Sequence, residues 1–463
     1  MATNVLNRIP KRIMGTLLSS LSGGVVPRMG APYIAIGRKE EIQALADTLD
    51  RVAEGEGSTK FIIGRYGSGK SFLIQLARGY ALDRGFVTAD CDLSPERKLA
   101  GSGLSGLATF RELMKNLACK TSPDGGALPV IIGKWFTGIA SELEDAGFDR
   151  NRQEYSDEFA RRISSSLRTL ESDIGGFDFA AVMKQYYTAW TEGDDSRQSA
   201  CLKWLRGEYS TRTEARQGLD IRSITIITDD NWYDYLKLFT SFFRLVGYSG
   251  FCLYIDECVN LYKIPNRISR ENNYEKILSM FNDTMQGRAP GLMIVFGGTP
   301  QFLEDTRRGL YSYEALRSRL ADGRFGGSEY RSLMQPVIRL KRLSDAEMLA
   351  LIIRLTSIHG EYHGWTPRIT EDDMSDFLAT SLKREGAETM ITPREIIRDY
   401  VTLLDLLFTN PKATYAEIKK TAVSGPPIIS SENENDIPAG PVPPVQATGS
   451  PQSRQVTLDD IKF

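Results

Sequence analysis

Histidine occurs only twice in this chain, and its five cysteines are scattered. Cys91, Cys119, Cys201, Cys252 and Cys258 form no C-x-x-C pair. That excludes the usual zinc signatures and a disulfide framework, and it suits a reducing, cytoplasmic setting. His359 and His363 stand four apart in HGEYH, which is not H-E-x-x-H, and Gly360 between them weakens a helix. No metal site is expected there. No apolar run approaches the length of a membrane span, and the N-terminal apolar stretch is short and broken by Ser and Gly. Neither a membrane helix nor a signal peptide is expected. Charge of one sign is also lacking: 57 basic residues against 59 acidic give a formal net charge of −2. An overall basic signature for nucleic acid is therefore absent, although a local basic groove remains open.

What is present is a globular composition. The 463 residues are 41% hydrophobic and 25% charged, enough for one large α/β domain with a further element. The stretch Thr59–Gln75 organises the rest. Phe61–Ile63 is a short apolar run of strand type, and Phe72, Leu73, Leu76, Ala77 and Tyr80 recur at helical spacing. Between them, Gly64, Arg65, Tyr66, Gly67, Ser68, Gly69, Lys70 and Ser71 fit G-x-x-x-x-G-K-[ST]. Glycines in such a loop let backbone N–H groups converge on phosphate oxygens, and the following helix adds its positive dipole end. Lys70 is then expected to reach the β- and γ-phosphates of ATP, and Ser71 to help hold Mg²⁺.

A second apolar run, Phe251–Ile255, ends in Asp256 and Glu257. Alone this is weak; paired with the glycine-rich loop it is strong. The strand delivers Asp256 beneath the Mg²⁺, and Glu257 is placed to polarise an attacking water. The strand Leu292–Phe296 leads to Gly297-Gly298-Thr299-Pro300, where Thr299 is either a γ-phosphate sensor or a plain turn residue. Arg317 and Arg319 precede the last strand, Val337–Leu340. They read equally as fingers reaching a neighbouring subunit's site or as a basic surface cluster. Asp92, closing the strand Gly85–Leu93, is either a nucleotide or Mg²⁺ ligand or a solvated strand-end carboxylate.

Ahead of the loop, Ile13, Leu17 and Leu21 make an amphipathic helix, read as packing on the domain in preference to a membrane surface. Gly37 and Arg38 open a helix of the kind that packs beside an adenine ring. Between Thr121 and Ser249 the chain reads as mostly helical. Its best helix is Trp232–Val246, whose aromatic stripe is core in preference to a base-stacking surface, with Asp229 and Asp230 as its cap. Leu343–Glu347 caps another helix, and Thr392-Pro393-Arg394 opens a third, with Arg394 leaning back over the phosphates. From Val423 the composition turns to Pro, Ser, Gly, Glu and Asn, which suits disorder. The tail ends in VTLDDIKF, either a docking peptide or a frayed end.

The order of these motifs resembles an AAA+ ATPase. Longer strings, among them GRYGSGKSF, DCDLSPERKLAGSG, DDNWYDYLKLF, YIDECVNLYKI, FNDTMQG and GGTPQFLEDTRRGLYSYEALRSRLA, are similar to the ATP-binding proteins of BREX and related phage-defence systems. The resemblance covers roughly residues 8–410 and leaves the acidic, proline-containing tail outside. It implies an α/β fold: a P-loop three-layer αβα domain with a parallel sheet, a large helical insertion and a C-terminal helical lid. The expected division is 1–30 for the amphipathic segment, 31–120 and 250–342 for the core, 121–249 for the insertion, 343–422 for the lid and 423–463 for the tail. The resemblance further implies helicase or nuclease partners acting on foreign DNA. Contact with DNA is direct or through those partners, and assembly into a homo-oligomer is open. Lys70, Ser71, Asp256 and Glu257 match the family's nucleotide and hydrolysis motifs, while Thr299, Arg317, Arg319 and Arg394 match less diagnostic positions. Two rivals stay in view: a nucleotide-locked scaffold with little hydrolysis, and a P-loop kinase or transferase, for which no acceptor pocket is readable.

Overall fold

The computed structural model describes residues 9–101, 103–322, 333–383 and 392–423. The expected tail and its terminal peptide therefore lie outside the described residues. In chain order come α1 (Lys11–Ser22), α2 (Lys39–Ala53), β1 (Ser58–Ile63), α3 (Lys70–Asp83), β2 (Val87–Asp92) and α4 (Ser105–Lys115). Helices follow: α5 (Leu128–Asp145), α6 (Gln153–Arg168), α7 (Gly176–Glu192), α8 (Asp195–Leu205), α9 (Arg212–Leu219) and α10 (Trp232–Leu245). Next are β3 (Phe251–Asp256), α11 (Val259–Tyr262), α12 (Arg267–Met285), β4 (Leu292–Gly298), α13 (Pro300–Glu304), α14 (Glu314–Leu320) and β5 (Val337–Arg339). The chain closes with α15 (Asp345–His363), α16 (Glu371–Lys383), α17 (Pro393–Thr409) and α18 (Tyr415–Val423). Residues through Tyr415 form one compact unit; a second begins at Ala416, and of it only the remainder of α18 is described.

The five strands lie in the order β2-β3-β4-β1-β5, and every pairing is parallel. Strands in such a sheet are covered on both faces, so they read as unbroken apolar runs. Alternate residues feed two cores. Phe61, Ile63, Leu253, Ile255, Ile294 and Phe296 point to one face. Ile62, Cys252, Tyr254, Met293, Val295 and Ile338 point to the other. The second face is covered by α2 and α3 through Leu45, Leu49, Leu73 and Ala77. The first face is covered by α4, α10 and α12, and its core continues without a break into α5 to α9. This is the three-layer αβα arrangement of P-loop proteins.

The aromatic stripe of α10 is core: Trp232, Leu236, Phe239, Phe242 and Phe243 are fully buried. Phe242 meets Trp135 edge-on with centroids 5.4 Å apart, a geometry that adds to simple burial. The expected cap of this helix is corrected. Asn231, not Asp229 or Asp230, holds the cap position, with its Oδ1 accepting from Thr228 N at 2.7 Å. Asp229 serves another helix instead. Its Oδ1 accepts from Leu107 N at 2.7 Å, satisfying a first-turn donor of α4. That bond falls in the first turn of α4, which starts at Ser105.

Gly360 does not interrupt its helix: α15 runs through to His363. A Cβ at Gly360 would lie 2.9 Å from Pro367 Cδ and 3.0 Å from Trp365 O, so the bare position admits the chain that folds back. α15 and α17 both begin with a complete capping box, Ser344 with Glu347 and Thr392 with Glu395. α1 packs on α15 and α17 through Met14, Leu17, Leu18 and Leu21. No helix among the described residues is long and apolar enough to cross a membrane.

Candidate nucleotide site

Three strand ends meet at the C-terminal edge of the sheet, where ligands of open α/β sheets bind. Ile63 is level with Gly298, and Ile255 with Phe296. Gly64 N donates to Gly298 O at 3.1 Å, and Cys258 N to Gly297 O at 3.0 Å, so the glycine-rich loop, Asp256 and Thr299 share one ledge. Gly297 has to be bare, because a Cβ there would strike the Asp256 carboxylate.

The loop itself is built on left-handed backbone at Gly67 (φ 72°) and Gly69 (φ 87°), a region that only glycine enters freely. It launches α3 at Lys70 with no capping side chain and no acidic residue in the first turn. An uncapped N-terminus of this kind suits an anion. Ser68 Oγ is buried and has no hydrogen-bond partner among the described residues. Lys70 Nζ donates to Arg65 O at 3.3 Å. Burial lowers the Lys70 pKa; Asp256 and Glu257 offset part of this, and Arg394 adds to the lowering.

Opposite the loop, Ser71 Oγ donates to Asp256 Oδ2 at 2.7 Å. A hydroxyl and a carboxylate in contact form a hard oxygen donor set that fits Mg²⁺. Glu257 follows with φ 55°, left-handed although it is not glycine, and its N–H donates to Asp256 Oδ1 at 2.8 Å. Burial raises the Glu257 pKa, the Asp256 charge raises it further, and Lys70 opposes. Asp92 is level with Asp256 on the neighbouring strand. Its carboxyl is likewise held above the usual range, by burial and then by the Asp256 charge.

These groups line a cleft of about 360 Å³. Its polar end holds Lys70, Ser71, Asp256, Glu257, Thr299 and Arg394. Arg38, Tyr66, Gly67, Ser68, Gly69 and Phe72 line it as well. Thr299 Oγ1 also accepts from Phe302 N at 3.3 Å, capping α13. Gly64 and Arg65 face a neighbouring depression with Glu304 and Arg339. Gly37 (φ 73°) lies against the Glu347 side chain of α15.

Arg317 and Arg319 stand apart from the cleft. Both are exposed on α14, where Arg319 Nε donates to Asn282 Oδ1 at 3.1 Å and its Nη1 to Ala315 O at 2.7 Å. The apolar end of the cleft went unassigned in the sequence: Leu21 of α1 and Val25, Val26 and Pro27 after it, with Leu351 of α15 and Ile397 of α17. The helical spacing of Ile13, Leu17 and Leu21 was the available signal, but it gave no partner.

The two histidines meet Asp405 of α17, with possible ligand atoms of all three within 4.8 Å of one another. Hydrogen bonding already uses the inner ring. Trp365 Nε1 donates to His359 Nδ1 at 3.0 Å, which leaves the proton on Nε2 for Asp405 Oδ1, also at 3.0 Å. A cation bound at Nε2 would have to displace that proton, so the donor chemistry fits a neutral His–Asp–Trp lock better than a metal.

No curated protein matches the chain. The family described as BREX system ATP-binding protein BrxC/D matches residues 9–422, a span that takes in the glycine-rich loop, the Asp256–Glu257 strand end and helices α15 to α17. The chain belongs to the BREX system ATP-binding protein BrxC/D family.

Proposed function

We propose that this chain is a Mg²⁺-dependent AAA+ ATP hydrolase of a bacterial phage-defence system, acting with helicase or nuclease partners on foreign DNA. The observation that carries the hydrolase reading is the Ser71–Asp256 hydrogen bond, at 2.7 Å, with Glu257 next in the chain and Lys70 across the cleft. On this reading Lys70 and the N–H groups of the loop bind the phosphates, and Ser71 and Asp256 hold the cation. Bound Mg²⁺ would supply charge neutralisation on the β- and γ-phosphates. Glu257 takes a proton from the attacking water, a task helped by a carboxyl pKa raised through burial. Thr299 holds that water or the γ-phosphate, and Arg394 draws the lid over it. Residues 31–120 and 250–342 then act as the core, 121–249 as an insertion and 343–422 as the lid.

One observation favours the switch-like alternative of slow turnover by the isolated chain. Arg317 and Arg319 stand outside their own chain's cleft, so their help with transition-state charge would require a second copy. Steady-state ATP hydrolysis with and without duplex DNA, beside Lys70→Ala, separates the two readings. Turnover that vanishes in the variant and rises with DNA or protein concentration supports the hydrolase. Tight Mg²⁺-ATP binding with no turnover under any of these conditions supports the locked scaffold.

A further inference from the structure

Arg38 lies beside the cleft, yet its guanidinium is turned towards main chain. Nη2 donates to Ser68 O at 2.9 Å and to Lys341 O at 2.7 Å. Arg38 and Glu41 are only 5% and 4% exposed, and Nη1 faces Glu41 Oε1 at 3.7 Å. A charge buried this deeply needs a counter-charge and satisfied donors to be tolerated. Glu41 supplies the first, and the two carbonyls accept from the second.

The two carbonyls belong to the phosphate loop and to the segment that follows β5. Ser68 sits between the left-handed Gly67 and Gly69, at the tip of the phosphate loop. Lys341 is the first residue past the last ladder bond of the sheet, Leu340 N to Ile63 O at 2.7 Å. It lies three residues ahead of Ser344, the cap of α15. The residue before Arg38 grips the same root. A Cβ on Gly37 would lie 2.6 Å from Glu347 Cδ and 2.9 Å from Leu343 Cδ2. Gly37 therefore rests on the first turn of the lid helix while Arg38 ties the strand leading into it to the phosphate loop.

We infer that Arg38 is a positioning residue that transmits occupancy of the phosphate loop to the root of the lid, through the bridge Ser68 O–Arg38–Lys341 O. The inference rests on the reading that the cleft takes ATP. Phosphates seated on the loop fix the Ser68 peptide. A planar guanidinium held by Glu41 carries that restraint to Lys341, where a lysine's single ammonium would lack the same rigid geometry.

The test is hydrogen–deuterium exchange of the full chain with and without Mg²⁺-ATP, read in segments 64–73 and 341–352. In the unaltered chain ATP slows exchange in both. At saturating Mg²⁺-ATP, Arg38→Gln lowers the effect at 341–352 about fivefold or more relative to the effect at 64–73. Arg38→Lys, which keeps the charge beside Glu41, shows the same uncoupling and serves if the Gln variant does not fold. A folded variant that binds ATP and still passes the full effect to 341–352 overturns the inference. So does an unaltered chain protected at 64–73 alone. Absence of any ATP effect at 64–73 in the unaltered chain defeats the underlying ATP reading and the inference with it.

Discussion

Ser71 Oγ and Asp256 Oδ2 lie 2.7 Å apart, joining the first turn of α3 to the end of a strand two positions across the sheet. Asp256 is 7% exposed, so this hydroxyl is one of its few partners. Ser71→Ala leaves that oxygen unpaired, at a cost of about 1–3 kcal/mol. The expected outcome is a loss of roughly tenfold in ATP affinity with Mg²⁺ present and little change in its absence. A fluorescent-ATP titration with and without Mg²⁺ reads both; equal losses in the two conditions would take Ser71 away from the cation.

Glu257 holds left-handed backbone at φ 55°, next to the carboxylate that accepts its N–H. A non-glycine residue in that region costs about 1–2 kcal/mol, and such strain gathers at working sites. Glu257→Gln should keep ATP binding and cut turnover by a factor on the order of a hundred or more. Glu257→Gly should be equally inactive yet more stable by about 1 kcal/mol, since glycine carries no strain there. Turnover assays beside thermal melts separate the chemical role from the backbone role. Unchanged turnover in the Gln variant removes Glu257 from the mechanism.

The parts of the site that were legible in the sequence are the local ones. The glycine-rich loop, the apolar strand ending in Asp256, and the Thr392-Pro393 helix start each declare themselves within a few residues, because turn and cap chemistry is short-range. What was not legible depends on distant contacts. Val25 and Pro27 reach the cleft only because α1 docks on α15 and α17. Arg38 was expected beside the base, and nothing in its neighbours announces the carbonyls of Ser68 and Lys341 as its partners. Asp229 is an ordinary cap candidate for the helix that follows it, but a tertiary bond to Leu107 diverts it. The parallel sheet was implied by the family resemblance, whereas the continuity of its core with α5 to α9 appears only once both are packed.

Lys60, on β1, is 2% exposed, and its ammonium donates to Met334 O and Gln335 O, both at 2.9 Å, on the approach to β5. Burial, with a smaller push from Arg51, lowers its pKa from 10.5 to about 8. Between those values the unfolded chain holds the proton and the folded chain releases it, so this group makes stability rise with pH. Below about 8 its penalty is fully in place. Lys60→Met should therefore flatten the alkaline limb of the stability profile, measured by chemical denaturation from neutral pH upwards. Parallel profiles for the two proteins would show that Lys60 does not titrate in this window.

His359 supplies the opposite limb. It is fully buried, accepts from Trp365 Nε1 through Nδ1 and donates to Asp405 Oδ1 through Nε2. Burial lowers its pKa from 6.5; Asp405 opposes this, and the neighbouring His363 adds to it. Protonation would set a second N–H against the indole N–H and break the link between α15 and the turn that follows it. Because the folded pKa lies below 6.5, the unfolded chain takes the proton first as pH falls, and stability present above 6.5 is lost progressively below it. His359→Gln offers an acceptor to Trp365 and a donor to Asp405 without titrating. Denaturation profiles between neutral and mildly acidic pH should show a steeper decline for the unaltered chain than for the Gln variant. The same decline in both would place the acid-sensitive group elsewhere.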